Sequence, residues 1–542
     1  MALLLAAPLM AAALAGPALA IEAPIVFQRG DDVCYRIPSL ARAQSGLVIV
    51  AERRHGLADG RKVCNDDGRV DLVVVRSRDG AVWSEPESVI DADVIGAAMA
   101  DPRSAIHDPD FALVDTNRRW VRVGNQSLAA IGDTLILALE VRYNLSDDCG
   151  DRREGCLNSP ENVDLGTARA RYFAIASHDG GRSWTEPRRI HSEIYGSCVD
   201  QLVRDEGLRA ALHAIFVDDA VIGPDGVGTR NAVIAATATG RASRDLPAVS
   251  AALGVDEAVL RRERVAVDKI LNRKLRAGPG NAAAFDVGGA TRVYAPAAPL
   301  GFYSDDLGSS WTCADTTRIR GGSESQAADL GDGRLVMTLR PIARPGDPDA
   351  LRLFTVSRDG GASWSEASEL AAPGGPTLVD VVSQGSIVAL PGTEPPQVVV
   401  SNVTGLDYAG DLTDATGEWS RKPTKAEQRR KKRELRSAGP DGRVGLTLSR
   451  VVLEGDDLRM GVSGACGPDG RATPAATTIW PHSAAYSVMI PAPETGEILI
   501  AFEASDDEGA SIARRSWTES IRFARVPLLD IPVATDPPDC RP

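Results

Sequence analysis

Four aspartates occupy one position of a recurring phrase. Residues 177–184 read SHDGGRSW, 304–311 SDDLGSSW and 357–364 SRDGGASW, and a copy one residue shorter, SRDGAVW, stands at 77–83. An acid that returns with a glycine turn and a tryptophan is either chemistry repeated or a scaffold for chemistry elsewhere. Local physics favours the scaffold. An Asp side chain accepts hydrogen bonds from the backbone amides just ahead of it and closes a tight loop. Glycine supplies the positive φ that follows, and Trp buries a large apolar body that fixes the hairpin. Each copy follows a β segment (DLVVVRS, RYFAIAS, PLGFYS, LRLFTVS), so each is expected at a hairpin tip. Asp79, Asp179, Asp306 and Asp359 are therefore read as structural. A fifth look-alike, SDDEGASI at 505–512, lacks the Trp and is read as chance.

Other chemistry-bearing patterns are few. The six histidines (His55, His107, His178, His191, His213, His482) show no His-x-x-x-His spacing. The Asp/His group IHDPD at 106–110 is read as a loop rather than a metal site. No Gly-Lys-Ser/Thr phosphate loop, dinucleotide fingerprint or Gly-x-Ser-x-Gly elbow is present.

The elements that would position any site are mostly short strands. GLVIVAE (46–52), RVDLVVVRS (69–77), DTLILALEVRY (133–143), GRLVMTLR (333–340), LRLFTVS (351–357) and EILIAFE (497–503) are apolar runs bounded by turn residues. Runs apolar on both faces suit layered sheets or propeller blades. Two stretches break the pattern. Residues 245–275 place Leu253, Val259, Leu260, Ile270 and Leu271 on a helical face. Residues 421–436 hold nine basic and two acidic residues. This run is read as a solvated insertion, the alternatives being an anionic surface, nucleic acid or a processing site.

The bulk numbers exclude some classes. The chain has 542 residues, 43% apolar and 25% charged, with a net charge of −14. A global nucleic-acid binder would be basic. An acidic enzyme can still bind an anion, but only through local cations. The N-terminal MALLLAAPLMAAALAGPALA ends in Ala18-Leu19-Ala20, so residues 1–20 are read as a signal peptide. It lacks a basic start, and a membrane anchor is the rival. Eight cysteines, an even count, fit an oxidising compartment, and Cys149 with Cys156 is the one specific pairing expected. Asn125, Asn144 and Asn402 open glycosylation sequons. Together these point to a secreted or lumenal protein, whether lysosomal, periplasmic or extracellular, with no stable membrane insertion after cleavage.

The repeat Ser-x-Asp-x-Gly-x-Ser/Thr-Trp resembles the Asp box of sialidases (neuraminidases), six-bladed β-propeller glycosidases. The resemblance implies an all-β fold, a six-bladed β-propeller over residues 21–530 with a C-terminal tail at 531–542. It also implies two insertions, one partly helical at roughly 198–276 and one at roughly 405–440. A sialidase substrate carries a carboxylate on its anomeric carbon, which planar guanidinium groups grip best. An anionic nucleophile would be repelled there, and the family uses Tyr instead.

The motifs run in the family's order. YRIPSL (35–40) resembles the Arg-Ile-Pro motif and implies Arg36 as a carboxylate binder. IVAERR (49–54) implies Arg54, with Arg53 the rival, as pocket support near the sugar's ring substituents. NDDGRVDLVVVRS (65–77) implies Asp66 as the acid/base, with Asp67 adjacent and Asp71 structural. SESQAADLGDGRLVMTLR (323–340) implies Glu324 as the base that activates the tyrosine and Arg340 as the second carboxylate binder. VDVVSQGSIVAL (379–390) has Ser383 where the family often has Cys. VVVSNVTG (398–405) resembles a Ser-Asn-Pro turn, and GRVGLTLSR (442–450) after it implies Arg443 as the third carboxylate binder. WPHSAAYSVMI (480–490) implies the nucleophile Tyr486, and ILIAFE (498–503) implies Glu503 orienting Arg36.

The implied activity is a retaining exo-α-sialidase acting on sialylated glycans, whether glycoproteins, glycolipids or oligosaccharides, with no metal, no cofactor and no nucleic-acid partner. A trans-sialidase is one alternative. A non-catalytic propeller that binds glycans or proteins is another. It explains the boxes equally well but not the ordered arginines, acids and tyrosine.

Overall fold

The computed structural model describes residues 21–56, 64, 69–108, 120–144, 171–216, 246–271, 278–297, 301–319, 322–341, 351–369, 383–403, 443–466, 472–506, 519–536 and 539, apart from 332 and 456. The proposed signal peptide, the Cys149–Cys156 pair, the insertion at 405–440 and the acids Asp66 and Asp67 lie outside the described residues.

The chain is mostly β. Its strands are short, and many are buried on both faces, as their continuous apolar runs require. Val70–Ser77 is buried at every position but one. Val33–Ala43, Gly46–His55, Val70–Ser77 and Glu87–Ile90 form an antiparallel meander. Trp120–Ile131, Thr134–Asn144, Arg171–Ser177 and Arg188–Arg189 form the next, joined to the first by one parallel pairing, Val70 with Arg122. Ala283–Val287 to Thr312–Cys313 and Gly322–Gly331 to Ser368–Glu369 are separate four-stranded sheets. Ile387–Leu390, Gln397–Val403, Val444–Glu454 and Asp457–Met460 follow. Ala476–Ala492, Glu497–Ala504 and Ser520–Pro527 come last, and the N-terminal Ile25–Gln28 pairs with the final strand.

The leading strands touch one another in succession. Val33–Ala43 packs on Trp120–Ile131, which packs on Ala283–Val287. The series continues through Gly322–Gly331 and Ile387–Leu390 to Ala476–Ala492, which returns to Val33–Ala43. Apolar side chains fill the space between neighbouring meanders. Val48, Val50, Leu72 and Val74 of one pack with Leu128, Leu135, Leu137 and Phe173 of the next.

The repeated phrase is a hairpin tip, as expected. In the copy at 177–184, Asp179 accepts from the amides of Arg182 and Ser183 (both 2.9 Å) and from the Ser183 hydroxyl (2.6 Å). Asp306 and Asp359 accept from the amide and hydroxyl of Ser310 and Ser363 in the same way. The glycines after Asp179 and Asp359 have positive φ, but at 307 a leucine takes that conformation (φ 57°). A Cβ on Gly361 would come within 2.7 Å of the Tyr294 ring, so glycine here also lets the tip press on the neighbouring sheet.

The helical stretch is larger than expected and more broken. Helices occupy His191–Leu202, Glu206–Phe216, Leu246–Leu253, Glu257–Arg262 and Arg264–Leu271. The amphipathic run at 245–275 is thus three short helices, interrupted at Gly254 (φ 65°) and at Glu263. Asp256 caps the middle one by accepting from the Ala258 amide. A disulfide, Cys198–Cys313, staples the first helix to the Thr312–Cys313 strand. The helix Ala92–Ala100, capped by Asp91, was not expected from the sequence. None of the described helices is long and apolar enough to cross a membrane.

Two of the three sequons are corrected. Asn125 and Asn402 are buried strand residues, 8% and 0% exposed, and cannot accept a glycan in the folded protein. The side chain of Asn144 lies outside the described residues.

Asp359→Ala removes the acceptor that closes one tip. It is expected to lower stability by about 2 kcal/mol, read as a lower urea midpoint at unchanged m. An unchanged midpoint would contradict the hairpin role of this residue.

Candidate active site

Irregular backbone brings the implied residues together. Each bears on a place where strand pairing slips by a residue, and such bulges re-aim side chains. The Val33–Ala43 strand shifts register between Arg36 and Ser39. The Gly322–Gly331 strand shifts between Gly322 and Ser325, around Glu324. Ala476–Ala492 shifts against its partner between Ala484 and Ser487, around Tyr486. Arg443 stands just ahead of Val444–Glu454, which shifts between Val444 and Leu446, and its carbonyl accepts from the Ala484 amide at 3.0 Å.

The side chains converge on Tyr486. Its hydroxyl donates to Glu324 at 2.7 and 2.8 Å from the two carboxylate oxygens. Arg340, on the strand paired with that of Glu324, donates from Nη1 to Glu324 Oε2 at 2.6 Å and to the Tyr486 hydroxyl at 3.1 Å. The Arg36 guanidinium stands 5.2 Å from the centroid of the Tyr486 ring, and that of Arg443 5.8 Å. Arg36 is gripped by Glu503 through Nε at 3.0 Å and Nη2 at 2.8 Å. Glu503 is fully buried, whereas the side chains of Arg340 and Glu324 keep 22% and 11% of their surface. The cluster thus opens to solvent on the Arg340 side.

Electrostatics assign the resting proton. Burial pushes the Glu324 carboxyl up, but the charge of Arg340, hydrogen bonds from Arg340 and Tyr486, and the charge of Arg443 outweigh it. Its pKa lies below the ordinary value. Burial and the Glu324 charge push the Tyr486 phenol well above its ordinary value, against the pull of the three arginines. At neutral pH the pair is therefore a neutral phenol donating to a carboxylate. Burial, with repulsion from Arg340 and Arg36, lowers the pKa of Arg443, and Tyr486 and Glu503 oppose that shift.

Arg54 lies on the strand paired with that of Arg36. Its side chain is 1% exposed and bonds Glu52 through Nε at 2.8 Å and Nη2 at 2.5 Å, with Nη1 on the Cys64 carbonyl at 3.4 Å. Strand register sets it diagonal to Arg36, with Arg36 opposite Glu52 and Cys34 opposite Arg54. Arg53 instead pairs with Asp71 at 2.9 Å. Asp71 also meets His55 at 2.6 Å and accepts from the Ala92 amide at 2.9 Å, in keeping with its structural reading. Asp66 lies outside the described residues, but Cys64, two residues before it, is disulfide-bonded to Cys34, two residues before Arg36.

Some residues were not singled out from the sequence. Glu52 is buried among Arg54, Arg122 and the Asn125 amide. A Cβ on Gly124 would clash with its carboxylate at 2.0 Å. In IVAERR, Glu52 immediately precedes Arg53 and Arg54. Gln126 and the backbone of Ile37 carried no sequence signal beyond their motifs. In the IHDPD group, Asp108 is buried and pairs with Arg171. Among the described residues no group of three or more His, Cys, Asp or Glu could hold a metal.

No family model and no curated protein matches the chain. Solved structures do. The Hadza microbial sialidase Hz136 is 15% identical at a TM-score of 0.50, covering 94% of this chain and 69% of that one. The NanB sialidase from Streptococcus pneumoniae is 13% identical at a TM-score of 0.50, covering 94% of this chain and 71% of that one. The fold is sialidase-like.

Glu503→Gln keeps the shape of the buried pair and removes the negative charge that Arg36 meets through Nε and Nη2. The variant is expected to lose about 3 kcal/mol of stability in urea unfolding. A loss under about 0.5 kcal/mol would contradict a buried, structurally required pair.

Proposed function

We propose that the protein is a retaining exo-α-sialidase of the Asp-box type, built as a six-bladed β-propeller. The propeller reading is supported by the successive four-stranded meanders, by leading strands that touch in a closed series, and by the pairing of the first strand with the last. The functional reading is carried by one observation, the Tyr486 hydroxyl bonded to Glu324 at 2.7 Å within reach of three arginines.

In this reading Arg36, Arg340 and Arg443 hold the substrate carboxylate. A buried guanidinium grips an anion in a planar, charge-assisted contact, and a neutral phenol beside it meets no repulsion. As the glycosidic bond stretches, the anomeric carbon gains positive charge. The Tyr486 proton passes to Glu324, and the phenol oxygen forms a bond to that carbon. Asp66 gives its proton to the leaving sugar oxygen. Water then attacks the glycosyl-tyrosine with Asp66 as base, and Glu324 returns the proton to Tyr486. Two displacements retain the anomeric configuration. Glu503 orients Arg36, and Arg54 supports the site through Glu52. The substrates are terminal sialic acids of glycoproteins, glycolipids or oligosaccharides, reached along a secreted or lumenal route.

Tyr486→Phe removes the nucleophile and leaves the arginines. Turnover of an aryl sialoside is expected to fall at least about a thousandfold, while titration with free N-acetylneuraminic acid still shows binding. A variant with wild-type turnover contradicts the nucleophile. Wild-type protein that binds a sialoside and yields no product over hours supports a non-catalytic propeller. Sialyllactose formed when lactose is added supports transfer over hydrolysis.

Arg340→Met removes the largest attraction holding the Glu324 carboxyl below its ordinary value, so burial raises it. Glu324 then protonates at a higher pH than in wild type, and the acidic limb of kcat/KM moves upward. The profile of kcat/KM against pH checks this. Superimposed acidic limbs would contradict the role of Arg340 in keeping the base ionised.

A further inference from the structure

Ile37 has φ 56°, in the left-handed region. It is β-branched and precedes Pro38, and both features disfavour that conformation. A backbone held against its preference needs partners that over-determine it. Two buried side chains from other meanders supply them. Glu503 Oε1 accepts from the Ile37 amide at 2.8 Å, and Gln126 Nε2 donates to the Ile37 carbonyl at 2.5 Å. The side chain thus directed is 3% exposed and packs with Ala485 and Tyr486.

Gln126 is fully buried on the Trp120–Ile131 strand. Its Nε2 also reaches the Val50 carbonyl, at a marginal 3.5 Å, and its Oε1 has no hydrogen-bond partner among the described residues. The main hydrogen bond of this amide is the one to Ile37. We infer that Gln126 is a positioning residue for the reaction: by holding the Ile37 carbonyl it fixes the Ile37 side chain against the Tyr486 ring and so aligns the phenol oxygen. The inference rests on the reading of Tyr486 as nucleophile. A core glutamine that merely fills space is the competing explanation, and the two predict different kinetics. Gln126 takes no part in the two bonds by which Glu503 holds Arg36. Loss of the Gln126 donor therefore falls on the chemical step and spares carboxylate binding.

The test compares wild type, Gln126→Met and Gln126→Glu on an aryl sialoside, with N-acetylneuraminic acid affinity measured in parallel. Gln126→Met keeps the length and removes the donor, and kcat is expected to fall about tenfold or more with Kd within about threefold. Gln126→Glu can donate only when protonated. The charged groups bonded to the adjoining backbone are Glu503, on the Ile37 amide and paired with Arg36, and Glu52, on the Asn125 amide and paired with Arg54 and Arg122. Its activity relative to wild type is expected to rise as pH falls. Wild-type kcat in Gln126→Met, or a Kd that weakens in step with kcat, overturns the inference. Should Gln126→Met fail to fold, a pH-independent ratio for Gln126→Glu overturns it. Inactive wild-type protein overturns both this inference and the nucleophile reading, whereas active wild type with an unimpaired Gln126→Met overturns this inference alone.

Discussion

Three guanidinium groups face one phenol, and the molecule must hold them there against their mutual repulsion. Two carboxylates do so. Glu503 binds Arg36 from the buried side, and Glu324 binds Arg340 and the Tyr486 hydroxyl from the open side. Among these groups, three positive charges against two negative ones leave one charge in excess. Burial, with repulsion from Arg340 and Arg36, disfavours the charge of Arg443 and lowers its pKa. In the proposed reading the substrate carboxylate offsets that repulsion. In the same reading, a chain of net charge −14 takes a negatively charged sugar through an attraction local to these arginines.

Regular strands cannot make this arrangement, because alternation sends neighbouring side chains to opposite faces. Register shifts lie next to Arg36, around Glu324 and Tyr486, and just past Arg443. The hairpin tips repeat one set of hydrogen bonds at Asp179, Asp306 and Asp359, far in sequence from these shifts. The frame repeats, with register shifts of its own at Ile25/Phe27 and Leu72/Val73.

What could be read from the sequence follows the same division. Apolar runs and the Ser-x-Asp-x-Gly-x-Ser-Trp phrase made the strands and hairpin tips legible, because each depends on local chemistry. Arg36, Glu324, Arg340, Arg443, Tyr486 and Glu503 were legible through the ordered motifs, and the structure brings them into one cluster. The role of each within it is a proposal. Features set by long-range packing were not legible. Asn125 and Asn402 read as glycan acceptors because burial leaves no mark on a three-residue pattern. The amphipathic run at 245–275 did not show its breaks, since Gly254 is tolerated in many helices. The pairings Cys34–Cys64 and Cys198–Cys313 join residues too distant in sequence for spacing to suggest. The left-handed Ile37 contradicts its own local preference, and Glu503 and Gln126, from other meanders, explain it.

The central claim is that the Tyr486 oxygen forms a bond to the sugar. A sialosyl fluoride carrying a second fluorine beside the anomeric carbon slows hydrolysis of any covalent intermediate and lets it accumulate. Intact-mass measurement followed by peptide mapping of the treated protein tests the claim most directly. The account predicts one added sialosyl group, located on the peptide containing Tyr486 and on the tyrosine itself. An adduct on Glu324 or another residue, or turnover of the parent sialoside with inverted product and no adduct, would contradict it.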